Sequence, residues 1–434
     1  MAEYKKKKIK KTKRKIKNEY VENIPMKPVK TNKNRKKEVY EKTTEQKPKK
    51  EKIRLIKSKK SIKIKRKKSL ILSVIATILI AVIVIFEIFT TGVFEYINNS
   101  LALFGGGLGY PVNLSSDGLH DVVNKDNYYI TVTTNSINGY SKSGKELFKY
   151  QHGFEMPVIK TSSSRFLLYN QGGTDYSVYN LKNNLKSGNT DNAILGAYIC
   201  RNGNYVIATL SNSYASELTV YNERHNVVYQ WFCADYTIND VVLSADGKKL
   251  AVSAFTSHDG ALQSKIFILE YNSATPINTL EFSGEMIYAL GSSFGSGFYA
   301  VFDDSVKYYN FKNLKSNEFA TDSSIAYFRN DNKNSVIVSR REANKNANNI
   351  TVLNKKGVQK ATFEFNNFVN DIAIKGNYIY ILSDRMIYLY NVKGELLNSV
   401  VCEFGIERIV PIGNFKVALL TENNIKNIDA KKGE

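Results

Sequence analysis

The feature that most constrains the fold is a repeat of about 41 residues that runs from Tyr140 to Asp429. Each unit reads as a series of short strands, and the third strand ends in an aromatic or aliphatic residue followed by Ser, Asn or Asp. The polar side chain is expected to cap the turn into the next strand, and the residue before it to fill the space between neighbouring sheets. The eight pairs are Tyr140-Ser141, Tyr179-Asn180, Tyr221-Asn222, Tyr271-Asn272, Tyr309-Asn310, Leu353-Asn354, Tyr390-Asn391 and Ile428-Asp429.

Each unit also carries a tight turn between its first and second strands. The stretch SADGKKLAVS, Ser244 to Ser253, shows it most clearly. Asp246-Gly247 tolerates the positive φ of a two-residue hairpin, and the residues that follow alternate between apolar and small. Seven further stretches lie in the same phase: residues 124–132, 162–170, 201–210, 294–302, 329–339, 375–383 and 413–421.

Four-stranded units at this period are typical of a β-propeller. We predict an all-β domain of eight blades, with seven as the alternative count. After Ile428 too few residues follow to form the fourth strand of the last unit, whereas the stretch YPVNL, Tyr110 to Leu114, precedes the first unit without a partner. We expect this stretch to supply the missing strand, because closure of the ring then leaves no open sheet edge.

The resemblance to known families rests on these turns. SADGKKLAVS resembles the inner hairpin of WD40-like and quinoprotein-like β-propellers, and YNVKGELL, Tyr390 to Leu397, resembles their outer strand turn. The resemblance implies a fold rather than an activity, since the Trp-Asp dipeptide is missing and the single tryptophan is Trp231. A quinoprotein-like enzyme would need a calcium ion and a tryptophan beneath its cofactor, an arrangement that Trp231 and Asp303-Asp304 do not reproduce.

The amino-terminal tail differs from the rest of the chain in charge. Residues 1–68 contain 30 Lys or Arg and 7 Asp or Glu, whereas the remaining residues carry a net charge of about −1. With few apolar residues the tail cannot offset its ordering entropy, and we predict that it is disordered. Its lysine runs could contact anionic lipid headgroups, but the simplest interpretation is a charge block that sets membrane topology. Nucleic acid is not an expected partner.

An apolar stretch follows the tail. Residues 69–86 contain no charged side chain, and Ile88-Phe89 extend the stretch beyond Glu87. At about 1.5 Å per residue a helix of this length nearly crosses a hydrocarbon core of roughly 30 Å. A cleaved signal peptide is the competing interpretation, but the long basic tail and the length of the stretch both favour an uncleaved anchor. Because Arg66-Lys67-Lys68 lie immediately before it, the tail is expected inside the cell and the propeller outside.

The predicted organisation therefore has four parts. Residues 1–68 form a disordered basic cytoplasmic tail, 69–89 a transmembrane helix, 90–109 a juxtamembrane linker and 110–434 an extracytoplasmic propeller. This layout resembles that of membrane-anchored propeller proteins of the Gram-positive envelope.

Few residues show a pattern that supports catalysis. The four histidines lie far apart with no metal-ligand spacing, and no nucleophile, phosphate-loop or calcium-loop motif occurs in the sequence. We therefore predict no catalytic residue, no metal and no cofactor. Cys200 and Cys233 could pair outside the cell, or they and Cys402 could be buried thiols.

Four of the predicted connections between second and third strands are long, and in a propeller they share one rim. They cover residues 170–177, 211–217, 255–265 and 340–349. Surface hairpins drift in length at little cost, which is one explanation; a recognition face is the other. Aromatic and charged residues carry most recognition energy, so the predicted binding residues are Tyr176, Tyr214, His258, Asp259, Arg340, Arg341 and Glu342.

The sequence thus predicts a single-pass membrane protein whose propeller binds an envelope protein or a wall glycan without catalysis. The alternatives are an extracytoplasmic propeller enzyme, such as a hydrolase, a lyase or a quinoprotein-like enzyme, and a ligand sensor that signals through the span. Charged side chains that converge in the central channel would favour the enzyme.

Overall fold

The computed structural model of the chain describes residues 70–84, 99–114, 118–125, 127–293, 297–331, 333–341 and 343–432. The predicted tail (1–68), both ends of the predicted span (69 and 85–89) and residues 90–98 of the predicted linker lie outside the described residues. So does Glu342.

The described part of residues 99–432 is built from short antiparallel strands that form eight four-stranded sheets. The strand β1 (Val112–Asn113) precedes blade 1, and the first four blades are β2 (Leu119–Asn124), β3 (Tyr128–Thr133), β4 (Ser136–Ser141), β5 (Glu146–Gln151); β6 (Pro157–Thr161), β7 (Arg165–Asn170), β8 (Asp175–Asn180), β9 (Asn184–Asn189); β10 (Ile194–Ile199), β11 (Tyr205–Thr209), β12 (Ser216–Tyr221), β13 (Val227–Cys233); and β14 (Thr237–Leu243), β15 (Lys249–His258), β16 (Ala261–Glu270), β17 (Asn278–Ser283).

The remaining blades follow the same order. They are β18 (Ala289–Ser293), β19 (Gly297–Val301), β20 (Ser305–Asn310), β21 (Ser316–Ala320); β22 (Ser324–Asn330), β23 (Asn334–Arg340), β24 (Asn348–Asn354), β25 (Gln359–Phe365); β26 (Asp371–Lys375), β27 (Tyr378–Ser383), β28 (Met386–Asn391), β29 (Leu396–Val401); and β30 (Arg408–Pro411), β31 (Lys416–Leu420), β32 (Asn424–Asp429). First strands of neighbouring blades contact one another from blade 1 to blade 5 and from blade 6 to blade 8, and β2 contacts β30. A hydrophobic cluster joins blades 5 and 6, so the blades form a ring around a central axis. The eight-bladed count is confirmed.

The ring closes as the sequence predicts. Blade 8 has the order β1-β32-β31-β30, so its fourth strand comes from the stretch that precedes blade 1. Val112 pairs with Ile425 and Asn113 with Asn424, and the Leu114 amide donates to the Asn423 carbonyl over 2.8 Å. The closing strand is short, and Leu114, Tyr129 and Ile425 pack in one cluster beneath it.

The hydrophobic core lies between blades. Each cluster joins the facing sides of two neighbouring sheets; the cluster between blades 6 and 7, for example, packs Val336, Val338 and Ile350 against Ile379 and Ile381. Because both faces of an inner strand meet a neighbour, β11 is buried throughout its length and β7 at every residue except Arg165. Alternation of apolar and polar residues is therefore lost in these strands.

A helix covers residues 70–84 within the predicted span, and its side chains are exposed. Within the described residues, no helix combines the length and the apolar composition that crossing a bilayer requires. The transmembrane helix over 69–89 consequently stays a prediction.

Candidate functional site

The antiparallel order of the strands gives the ring two different faces. Turns between first and second strands and between third and fourth strands lie on one face. Hairpins between second and third strands, and the connections from blade to blade, lie on the other. We call the first the entry face, because the chain reaches the propeller on this side, and the second the hairpin face.

The turns of the entry face are closed by their own side chains. In seven of the eight blades the Ser, Asn or Asp at the end of the third strand accepts hydrogen bonds from the turn that follows, as predicted; in blade 4 the strand β16 already ends at Glu270, before Asn272. In blade 7, for example, Asn391 Oδ1 accepts from the amides of Lys393 and Glu395 over 2.9 and 3.1 Å. The same arrangement holds at Ser141, Asn180, Asn222, Asn310, Asn354 and Asp429.

Turns of neighbouring blades are also joined on this face. Asn334 Nδ2 donates to the Gly376 carbonyl over 2.8 Å, and Asn317 Nδ2 to the Lys356 carbonyl over 2.9 Å. Tyr308 donates its hydroxyl hydrogen to Ser335 Oγ over 2.6 Å. Much of the hydrogen-bonding capacity of the entry face is therefore used within the propeller.

The chain reaches the propeller on this same face. Asn99 Nδ2 donates to the Ser164 carbonyl over 2.8 Å, in the first turn of blade 2, and Lys145 Nζ donates to the Phe104 carbonyl over 3.1 Å. At Gly107 an added Cβ would lie 2.5 Å from the Lys145 backbone nitrogen, so only glycine permits this approach. Residues 99–107 thus lie along the turns of blades 1 and 2.

The hairpin face presents side chains that the propeller does not enclose. Blade 4 extends furthest, because β15 and β16 have ten residues each and pair as far as His258 with Ala261. The predicted loop 255–265 is therefore mostly strand. Asp259 and Gly260 form its tip with φ values of 52° and 76°, as a type I′ turn requires, and Asp259 pairs with His258 over 3.1 Å.

An exposed aromatic pair lies on the same face in blade 3. Tyr214 and Phe232 are 46% and 47% exposed, with ring centres 5.1 Å apart. Phe232 was missed from the sequence, although its position next to buried Trp231 in the alternating strand β13 points its side chain the opposite way. Glu217 is its cross-strand partner and accepts a hydrogen bond from Ser211.

The two predicted arginines of blade 6 occupy different environments. Arg341 is exposed and lies 3.5 Å from exposed Asp322. Arg340 is half-buried at the end of β23, with its guanidinium carbon 5.2 Å from the ring centre of Phe368 in the connection to blade 7.

Tyr176 does not belong to this surface. It is 5% exposed and packs between blades 2 and 3 against Tyr205 and Tyr221, so its inclusion among the binding residues was wrong. The error has a local cause, because β8 begins at Asp175 and the connection before it is shorter than predicted.

Charged side chains do converge along the innermost strands, but they join blades to one another. Lys160 of blade 2 lies 3.6 Å from Asp240 of blade 4, and Asp240 Oδ2 accepts from the Leu290 amide of blade 5 over 2.9 Å. Likewise Arg329 of blade 6 lies 3.2 Å from Asp371 of blade 7, whose Oδ2 accepts from the Ile409 amide of blade 8 over 3.0 Å.

These two sets of contacts between blades give the charged side chains of the innermost strands a structural role. Burial by itself lowers the pKa of Lys160, but the combined effects of Asp240, Tyr169 and Tyr198 outweigh it and the net pKa is raised, so the amine stays protonated. Burial raises the pKa of nearby Tyr198. A protonated amine and a neutral phenol are poor nucleophiles and bases.

The cysteines and candidate metal ligands add no reactive centre to the described residues. Cys200, Cys233 and Cys402 are buried and free in the described structure, and burial raises the pKa of Cys200 to about 11, which keeps it a thiol. Among the described residues, no group of three or more His, Cys, Asp or Glu could hold a metal ion.

Comparisons with known proteins place the chain in a family. The model of a family of unknown function, DUF5711, matches residues 112–429, and the chain belongs to that family. No curated protein matches the chain.

Solved structures with the same architecture are similar at low identity. They include BamB from Moraxella catarrhalis (11% identity, 73% of this chain and 98% of that chain, TM-score 0.48), the C-terminal WD40 domain of Sif2 (13%, 75% and 98%, 0.53) and a eukaryotic initiation factor (12%, 76% and 88%, 0.50). At such identity the similarity to the latter two shows the fold alone.

Proposed function

For this member of the DUF5711 family, we propose a role as a single-pass membrane protein whose propeller lies outside the cytoplasm and binds an envelope protein or a wall glycan through its hairpin face, without catalysis. The observation that carries the proposal is the contrast between the faces. Turns of neighbouring blades are hydrogen-bonded to one another on the entry face, whereas the hairpin face leaves an aromatic pair exposed.

The membrane anchor is supported by the sequence, whose apolar stretch at residues 69–86 includes the helix over residues 70–84. Its apolar side chains, including Leu72 and Leu79, are exposed. A helix that is apolar on all sides is typical of a membrane span or of a buried core. The basic flank at Arg66-Lys67-Lys68 favours a cytoplasmic tail.

The path of the chain supports the choice of face. A tether that precedes Asn99 joins the propeller on the entry face, since Asn99 and Phe104 are bonded there. The hairpin face is then the side left open to a partner in the envelope. Its exposed aromatic pair and its ion pairs are the kind of residues that carry recognition energy.

Capture of the full chain by isolated cell walls and by envelope extracts tests this proposal. We expect Tyr214→Ser combined with Phe232→Ser to weaken capture about tenfold or more, because aromatic anchors dominate binding energy. The matched control is Lys248→Ser combined with Lys393→Ser, two exposed residues of the entry face. Loss of capture in the control with retention in the aromatic variant would contradict the assignment.

Topology is tested separately. Protease added to intact cells should release the propeller and leave an epitope within residues 1–68 intact. Protection of the propeller, with cleavage of the tail, would reverse the orientation.

A further inference from the structure

Blade 6 carries a donor and an acceptor, both buried, that are directly opposed across two strands. Arg340 of β23 and Asn348 of β24 are register partners, so their side chains lie on the same side of the sheet and within a few ångströms of one another. Among the described residues, Nε and NH1 of Arg340 and Oδ1 of Asn348 have no hydrogen-bond partner, although all three atoms are shielded from solvent. Unpaired buried polar atoms of this kind are costly.

The orientation of Asn348 is fixed by its own bonds. The side chain is 2% exposed, and Nδ2 donates towards the carbonyls of Asn367, Lys345 and Phe365 over 2.8, 3.3 and 3.3 Å. Flipping the amide would turn its oxygen against three carbonyl oxygens, which is unfavourable. Oδ1 is therefore held as an acceptor on the side away from these carbonyls.

Arg340 is held in place by an aromatic ring. Its guanidinium lies over Phe368 at 5.2 Å, a cation–π contact that orients the group without using its N–H donors. Because guanidinium carries five donors and cannot lose its charge, the unpaired Nε and NH1 groups still need an acceptor.

We propose that Arg340, Asn348 and Phe368 form a site for a carboxylate that carries an amide N–H or a hydroxyl next to it. The carboxylate accepts from the Arg340 guanidinium, and the neighbouring donor satisfies Asn348 Oδ1. A bare anion does not fit both groups, since a second acceptor would face the amide oxygen. The inference rests on the proposed function, because it names the chemical group of the envelope partner that the hairpin face recognises.

Two sources in a cell envelope share this chemistry, namely acylated amino acids and sugar acids. Attraction of an anionic ligand depends on the site itself, because the chain outside the basic tail has a net charge of about −1 and does not attract anions as a whole.

Ligand-detected saturation-transfer NMR on the full chain tests the site. The probes are N-acetylglycine and glucuronate, with N-acetylglycinamide as the neutral match for the first and inorganic phosphate as a plain anion. We expect at least one of the two acids to bind, and N-acetylglycinamide and phosphate to bind about tenfold more weakly or not at all, because hydrogen bonds to charged groups are the strong ones. The acid that binds identifies the source.

Two variants with the same change in net charge separate the site from general electrostatics. Arg340→Gln should weaken binding of the acid about tenfold or more, whereas Arg385→Gln, at an exposed position in the hairpin between β27 and β28, should change binding less than about twofold. Circular dichroism checks that both variants are folded.

Three results would overturn the site: no acid binds, the neutral amide binds as well as the acid, or both arginine variants lose binding equally. These outcomes are distinguishable from failure of the proposed function. If Arg340→Gln abolishes binding of the small acid but capture by envelope material persists, the carboxylate site exists and the envelope partner does not use it. If capture depends on Tyr214 and Phe232 but no acid binds, the hairpin face is retained as the recognition surface and the carboxylate site is excluded.

Discussion

The entry face and the hairpin face are built from the same repeat, yet they differ in how their exposed side chains are partnered. On the entry face the Asn391 side chain accepts a hydrogen bond from its own turn, and the Asn334 side chain donates one to the turn of the next blade. On the hairpin face Tyr214 packs against another exposed ring, and Arg341 lies near an exposed carboxylate. The difference indicates that the entry face stabilises the ring, whereas the hairpin face can change without loss of the fold.

Removal of the closing strand should give the largest effect. A variant lacking residues 110–114 loses a fourth strand, removes Leu114 from the core and exposes Tyr129 and Ile425. We expect the free energy of unfolding to fall by about 3 kcal/mol or more, since each buried apolar side chain contributes roughly 2 kcal/mol. Denaturant unfolding measures it.

A matched change on the hairpin face provides the control for that deletion. Replacing residues 257–262 by Asn-Gly joins Thr256 to Gln263, which are already register partners, and removes the exposed tip of blade 4. The cost should stay below about 1 kcal/mol. If the two deletions cost the same, the faces do not differ in the way described.

Loss of one turn cap should have a smaller effect. Asn391→Ala removes the acceptor of two backbone amides, at 2.9 and 3.1 Å, and should lower the free energy of unfolding by about 1 kcal/mol. Asn391→Asp keeps a side-chain acceptor and should recover most of the loss. Equal destabilisation by both variants would mean that the cap is not the cause.

Acid should act on the hairpin face through His152. Burial lowers the pKa of this imidazole in the folded state, and Nδ1 accepts a hydrogen bond from the Phe154 amide over 3.3 Å. The unfolded chain therefore binds the proton first, so stability is complete above about pH 6.5 and is lost as the pH falls through the lowered folded pKa. His152→Phe should make stability depend less on pH between 7 and 5, as followed by thermal unfolding; an unchanged slope would exclude His152 as the source.

The smallest effects are expected for exposed charges of the hairpin face. His258→Ala and Arg341→Ala remove exposed polar contacts with Asp259 and Asp322, and each should change the free energy of unfolding by no more than about 0.5 kcal/mol. A loss of 2 kcal/mol or more at either position would show that this face also supports the ring.

The architecture was predictable because it depends on short sequence patterns that recur in each unit. The Asn-type turn after each third strand, exemplified by Asn391, fixes the phase of every unit, and the stretch from Tyr110 to Leu114 had no partner except the incomplete last blade. These features depend on neighbours in sequence or on a simple count. Fold and closure could therefore be derived before any coordinates.

The composition of the site was less accessible, because it depends on contacts that are distant in sequence. Arg340 was predicted as a surface residue, but Phe368 covers it from the connection to the next blade. Tyr176 was misplaced because β8 is buried on both sides. Its sequence therefore does not alternate between apolar and polar residues in a way that shows which side chains are exposed. The tie between Lys160 and Asp240 joins blades two apart and follows only from the geometry of the ring.

The account's central claim is that the hairpin face, and not the entry face, meets the envelope partner. Photo-cross-linking in intact cells tests it most directly, with one benzoylphenylalanine placed at Tyr214 in one variant and at Lys248 in another, both exposed positions. The account predicts a cross-linked envelope protein or glycan from position 214 and none from position 248. Adducts from position 248 alone would contradict it.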